Sequence, residues 1–225
     1  MDKRLTALCS LIEKHKTIAD IGCDHAYLSI YLIKTKKAER VIASDVKPLP
    51  LKKGSLNIKK EGVADYISLR LSFGFSQYKQ NEISAAVIAG MGGDTIIDII
   101  STAPFKITFP LYLQPMTCSE KLLDYLNKNG YIIKKHKAVL SAGRYYNVFC
   151  AVPAKTKGII NNDILFPVVG ALDLNEKSAK ALLNKKLKSL QKKAESLAFV
   201  ERKKEEYEKT LFLSKELEKR LGKRK

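Results

Sequence analysis

The sequence predicts an α/β fold, a doubly wound, mostly parallel sheet followed by a C-terminal antiparallel helical, coiled-coil domain. Three observations predict it. Short apolar runs alternate with helix-spaced segments over the first two thirds of the chain. Two of those runs end in an acid, at Asp20 and Asp45, 25 residues apart. Past a stretch marked by proline and glycine, leucines recur at steps of four and three. The expected boundaries are 1–153 for the α/β domain, 154–174 for a linker and 175–225 for a basic helical hairpin.

Leu5, Leu8, Cys9, Leu11 and Ile12 make a helix-spaced apolar face at the N-terminus. Ile18 to Leu32 then reads as a strand ending at Asp20, a turn at Gly22, and a helix whose first turn holds Asp24 and His25. Free N–H groups at such a helix start can receive polar ligand atoms. The glycine spacing does not meet a dinucleotide fingerprint, so an ordinary strand–turn–helix and a cofactor site both remain open at this point. Val41 to Asp45 is a second strand, and its terminal acid has the spacing at which a carboxylate accepts hydrogen bonds from ribose hydroxyls. The cofactor reading gains from it.

Pro48 and Pro50 can open a helix running to about Gly62. Tyr66 to Leu71 reads as a third strand, followed by the turn 72–75, and Ala85 to Ala89 as a wholly apolar central strand. The loop Gly90-Met91-Gly92-Gly93 leads into the helical DTIIDII; three glycines there suit either a tight turn or the close approach of a flat ligand. Leu111 to Leu113 is a fifth strand, ending in Gln114-Pro115, and a helix over 119–128 follows. Tyr131 to Leu140 and Arg144 to Ala151 pair as a hairpin, giving five β–α units and a closing hairpin. Beyond the linker, Leu183, Leu187, Leu190, Ala194 and Leu197 form one seam, and Tyr207, Leu211, Leu217 and Leu221 a second. Two helices folded back on each other, or one unbroken helix, fit that spacing.

Charge is the strongest global signal: 41 basic against 23 acidic residues give +18 and a pI near 9.7. Residues 176–225 hold 17 basic and 8 acidic side chains and the rest 24 and 15, so each part carries +9. Such a surplus favours a polyanionic partner, with a solvated lysine-rich face as the plainer alternative. No run approaches the ~18 apolar residues of a membrane span and no apolar leader opens the chain, which predicts a cytoplasmic protein with no membrane partner. Cys9, Cys23, Cys118 and Cys150 lack metal or disulfide spacing and are expected to be buried thiols; no metal is expected.

The strings Asp20-Ile21-Gly22-Cys23-Asp24-His25-Ala26-Tyr27-Leu28, Ile42-Ala43-Ser44-Asp45, Ile88-Ala89-Gly90-Met91-Gly92-Gly93 and Leu113-Gln114-Pro115 resemble the bacterial tRNA (adenine-22-N1)-methyltransferase family. These are class I, Rossmann-like enzymes dependent on S-adenosylmethionine (SAM), with a C-terminal coiled coil. The resemblance implies a SAM site at Asp20, Gly22, Cys23, Asp24, Asp45, Val46, Phe73, Gly74, Ala89 and Gly90, with Asp45 clamping the ribose. It implies a target adenine near the catalytic candidates His25, Tyr27, Met91, Gly92 and Gln114, with Tyr27 or Tyr146 as stacking faces. His25 is read as a loop-ordering partner in preference to a general base. tRNA is the implied partner, gripped by the basic helices, and the protein is expected to be a monomer.

The chain departs from the family pattern at four places. Ser72-Phe73-Gly74-Phe75 stands for a usual G-D-G-L, so the acid expected to bond the cofactor's adenine amino group is absent. Leu49 precedes Pro50 where glycine is usual, Met116 replaces an asparagine, and Asn147 replaces a common glutamate. Two competing readings follow: an RNA-binding module with impaired catalysis, and a methyltransferase acting on another RNA base or a small molecule.

Overall fold

The computed structural model describes residues 2–155 and 160–223. Gly158, one of the residues marking the expected linker, lies outside the described residues. The chain opens with α1 (Lys3–Leu11), capped by Asp2, whose carboxylate accepts from the N–H groups of Arg4 and Leu5. Then follow β1 (His15–Ile21), α2 (Tyr27–Lys34), β2 (Ala38–Asp45), α3 (Pro48–Lys60), β3 (Ile67–Leu71) and β4 (Ala85–Gly92). After these come α4 (Gly93–Ser101), β5 (Leu111–Thr117), α5 (Ser119–Lys128), β6 (Tyr131–Ser141) and β7 (Arg144–Pro153). The C-terminal part holds a short α6 (Phe166–Val169), then α7 (Lys177–Leu197) and α8 (Lys204–Arg220).

All seven strands form one sheet in the order β3-β2-β1-β4-β5-β7-β6. The first five strands in that order are mutually parallel, and β7 runs antiparallel to both its neighbours. Successive side chains leave a strand on opposite faces, so a strand covered on both sides is apolar throughout. Ile18, Val41, Val87 and Tyr112 accordingly pack beneath α1, α2 and α3. Ala19, Ile21, Ile88 and Leu113 pack beneath α4 and α5. Ile88 has no exposed surface, and truncating it to alanine should cost about 2–5 kcal/mol. The strand order reverses between β1 and β4, and that switch point is where open α/β sheets accept ligands.

The expected five β–α units become four. Among the described residues no helix joins β3 to β4; Phe75 and Tyr78 fill the space instead, both almost fully buried. The Tyr78 hydroxyl donates to Ser44 Oγ at 2.9 Å, while the Arg70 guanidinium lies 4.6 Å from the Tyr78 ring centroid and pairs with Glu82. A helix is unnecessary where two aromatics already cover the strands.

The stretch expected to be a loose linker is packed. Phe166 joins the core beneath α4 and α5, and Leu165, Val169 and Leu172 join Ala138 of β6 and the base of the two long helices in a third core. Asn127 holds the backbone of Asn161 through paired bonds of 2.8 Å in each direction. Proline and asparagine there mark turns, which sequence alone does not distinguish from free chain.

The helices α7 and α8 form an antiparallel hairpin, with Lys193 near the end of the first paired to Glu206 near the start of the second. Leu183, Leu187, Ala194 and Leu197 are buried in the seam as expected. On α8 the buried positions are Thr210, Ser214 and Leu217, so the seam runs through two small polar residues and leaves Tyr207 and Leu211 half-buried. Ser214 Oγ satisfies itself on the Leu211 carbonyl at 2.8 Å. No helix among the described residues is long and apolar enough to cross a membrane, and no group of three or more metal-ligating side chains occurs among them.

Candidate active site

The C-terminal ends of β1, β2, β4 and β5 open into a cavity of about 450 Å³. Its floor begins at Gly22, whose φ of +74° strains any residue with a Cβ, and over which the flexible end of Met91 lies. The N–H groups of Gly22 and Cys23 donate to the Ser44 carbonyl at 2.8 and 2.9 Å, folding the turn over the end of β2. Asp24 and Ala26 both adopt positive φ, which a helix cannot continue. The helix therefore starts at Tyr27, and Asp24 with His25 sits in the preceding loop, not in the helix's first turn as expected.

Asp45, at the end of β2, accepts the Asp24 N–H on Oδ2 at 3.2 Å and the Lys47 N–H on Oδ1 at 2.9 Å. Each oxygen keeps a lone pair for a ligand. Asp20 is buried and accepts from Ser29 Oγ at 2.6 Å; burial pushes its carboxyl up to about 6, against the pull of that bond, and Asp45 adds to the rise. Burial likewise raises the Cys23 thiol, so it is no thiolate nucleophile. His25 Nε2 lies 3.6 Å from Asp24 Oδ1, and its ring is tilted against that of Tyr27, which is 62 % exposed at the rim.

The glycine-rich segment is strand, not loop. Ala89 pairs with Gln114, Met91 with Pro115 and Gly92 with Thr117, through two register shifts. Pro115 has no N–H to give the ladder, so the pairing slips. The Gly90 N–H is taken instead by Gln114 Oε1 at 3.2 Å, while Gln114 Nε2 donates to the Pro115 carbonyl at 2.9 Å. Gly93 is explained by packing, since a Cβ there would lie 2.4 Å from the Cys118 carbonyl oxygen.

The cavity brings together Asp20, Gly22, Cys23, Asp24, His25, Tyr27, Asp45 and Val46 with Phe73, Gly74, Ala89, Gly90, Met91 and Gln114. Gly92 stands apart, at the cap of α4 and facing Thr117. Phe73 is 49 % exposed and presents its side chain to the cavity, with Gly74 packed behind it on Ile99. Sequence reasoning missed Arg4, Leu5, Thr95 and Ile99 on the cavity wall. The first two come from α1, far away in the chain, where an arginine in an amphipathic first turn looks like a solvated residue. Of the four cysteines, Cys118 is exposed, contrary to expectation, because it holds the left-handed turn ahead of α5.

The lining carries three carboxylates, Asp20, Asp24 and Asp45, against one guanidinium, Arg4, which is itself paired with Asp2. An acidic cavity within a chain of charge +18 is suited to a cationic ligand.

Residues 1–149 match the family described as methyltransferase domain. The tRNA (adenine(22)-N(1))-methyltransferase of Bacillus subtilis is 32 % identical over 153 residues, which are 67 % of this chain and 64 % of that protein. This match thus spans just under two thirds of the relative's length. The crystal structure of the B. subtilis m1A22 tRNA methyltransferase TrmK superposes with a TM-score of 0.80 at 26 % identity, covering 99 % of this chain and 96 % of that one. The structure of M. capricolum TrmK in complex with S-adenosyl-homocysteine gives 0.82 at 25 % identity, covering 99 % and 98 %. The sheet order, the cavity at its switch point and the family match agree: this chain belongs to the methyltransferase domain family.

Proposed function

We propose that the protein transfers the methyl group of SAM to N1 of adenine 22 in tRNA. One observation carries the reading: an acidic cavity at the sheet's switch point, built on Gly22 and Asp45, inside a strongly basic chain. The residues fit the cofactor. Asp45 keeps lone pairs for two ribose hydroxyls, Phe73 offers an apolar face to a purine, and the acids Asp20 and Asp24 suit a cationic sulfonium and amine. Cys23, Val46, Gly74, Ala89 and Gly90 complete the wall around that ligand. The names of the B. subtilis and M. capricolum relatives support the same reading.

Bound there, SAM would supply an electrophilic methyl on sulfur. Adenine N1 already has an in-plane lone pair, so this chain's task is placement; no strong base is required. Tyr27, exposed at the rim, would offer a stacking face to a base flipped out of the tRNA, with Met91 and Gln114 also lining the cavity. Gln114 is held by its bonds to Gly90 and Pro115, which fixes the amide before a substrate arrives. The N1-methylated ring is cationic, and the carboxylates of the cavity favour it electrostatically. His25, beside Asp24, would order the loop that leads into Tyr27 at the start of α2.

The helical hairpin would hold the tRNA backbone, and α7 is the helix equipped for it. It carries seven lysines and one glutamate, whereas α8 has five basic and five acidic residues. The protein would act as a single chain in the cytoplasm. The test is calorimetry with SAM, then transfer of labelled methyl to unmodified tRNA. Binding in the micromolar range and label recovered as 1-methyladenosine support the reading. Failure to bind at millimolar SAM favours an RNA-binding module instead, and label on another base a different acceptor.

A further inference from the structure

We propose that Arg4 is a phosphate clamp for the nucleotide whose base enters the cavity, an inference that rests on the adenine-methylation reading above. Arg4 lies on the first turn of α1 and reaches the cavity wall, its side chain only 20 % exposed. The guanidinium is stacked over Tyr146, 5.1 Å from the ring centroid, and Nε donates to Asp2 Oδ2 at 3.1 Å. These two contacts fix its plane. Nη2 also pairs with Asp2, and the remaining edge, at Nη1, abuts the thioether sulfur of Met116. A charged donor there rests on a weak acceptor.

The same sulfur lies 3.7 Å from Gln114 Nε2, so donors from α1 and from β5 converge on one soft atom. Met116 is 36 % exposed and unbranched, and can swing aside without disturbing the core. What replaces it must be rich in acceptor oxygens, because both facing groups donate. Among the described residues that line the cavity, Arg4 is the one permanent cation, so an anion has no alternative partner there. A guanidinium against the ring edge would oppose a reaction whose product ring is positive. Placed on the phosphate of the same nucleotide, it fixes the flipped nucleotide and leaves the ring to the acids.

A thermodynamic cycle between protein and RNA tests this. Wild type, Arg4→Ala and Arg4→Gln are assayed on synthetic tRNA carrying either a normal phosphate or a neutral methylphosphonate 5′ to the target adenosine. Arg4→Gln keeps a side-chain donor for Asp2, while the α1 cap, made by Asp2 to the backbone N–H groups of residues 4 and 5, is retained in both variants. Expected is a roughly 10- to 100-fold fall in kcat/KM for either variant on normal RNA, a similar fall for wild type on the methylphosphonate, and less than about twofold further loss when the two are combined. SAM affinity is measured for both variants, because Arg4 lines the same cavity; a fall in kcat/KM matched by an equal fall in SAM affinity overturns the clamp. Losses that multiply, or a wild type indifferent to the methylphosphonate, overturn the clamp. Wild type failing to methylate normal RNA would instead sink the functional reading itself.

Discussion

The Asp24 N–H donates to Asp45 Oδ2 at 3.2 Å, tying the turn after β1 to the acid that ends β2. With the Lys47 N–H on the other oxygen, the carboxylate is oriented before any ligand arrives. Two ribose hydroxyls bound to a charged acceptor are worth about 1.5–3 kcal/mol each. Asp45→Ala should therefore weaken SAM binding by roughly 100-fold or more in calorimetry. An affinity unchanged by the substitution would remove Asp45 from the site.

In the proposed SAM site Phe73 would offer a face and no acceptor to the cofactor's base. Wild type should consequently discriminate little between S-adenosylhomocysteine and its inosine analogue in competition binding. Phe73→Asp should favour the adenine form by about tenfold, the worth of one hydrogen bond to a charged group. Strong discrimination by wild type would show that another group reads the amino edge.

His136 joins the sheet to the C-terminal segment. Its Nδ1 accepts the Ala171 N–H at 3.1 Å, so the ring proton is on Nε2, which donates to Asn147 Oδ1 at 2.9 Å; Asn147 in turn donates to Ser119 Oγ at 2.7 Å. Burial depresses the ring from 6.5 to about 4. A depressed histidine contributes stability that is complete above the unfolded value and is lost as pH falls toward the folded one. Between pH 6.5 and 4 this amounts to at most about 3 kcal/mol. The His136 ring signal in an NMR titration should stay neutral down to about pH 5. A midpoint near 6.5 would contradict the buried, hydrogen-bonded placement.

Lys177, Lys180, Lys185, Lys188 and Lys192 are exposed and fall on one side of α7, within about 140° of the helix circumference. Lys186 and Lys193 lie off that stripe and are paired with Glu120 and Glu206. Changing the five stripe lysines to glutamine should lower tRNA affinity at least tenfold and flatten its salt dependence by about 0.7–0.9 per lost contact, with SAM affinity unchanged. An equal loss from neutralising Lys209, Lys215 and Lys219 of α8 would locate the RNA elsewhere. Cutting the chain after residue 153 is a poor test, because Phe166 and Leu165 belong to the cores.

The parallel strands were legible because strands covered on both faces are apolar runs, as at Val41 to Ala43 and Ala85 to Ile88. Asp45 was legible through its distance from Asp20. What escaped is nonlocal. Arg4 reaches the cavity from a helix 16 residues ahead of Asp20. Gly92 looked like its neighbours Gly90 and Gly93, and only the register slip opposite Pro115 turns it away from the cavity. Phe75 and Tyr78 replace a helix by filling volume, which no periodicity records. On α8 the expected Leu217 is buried, whereas Thr210 and Ser214 are buried in place of Tyr207 and Leu211, to which apolar spacing points.

The proposed reaction places one methyl group on one nitrogen of one tRNA adenine. Primer extension and nucleoside mass spectrometry on tRNA incubated with the wild-type protein and SAM test it most directly. A single new stop at adenine 22 is expected, recovered as 1-methyladenosine and absent with Asp45→Ala. Methyl incorporation at another base, or none despite tight SAM binding, would contradict it.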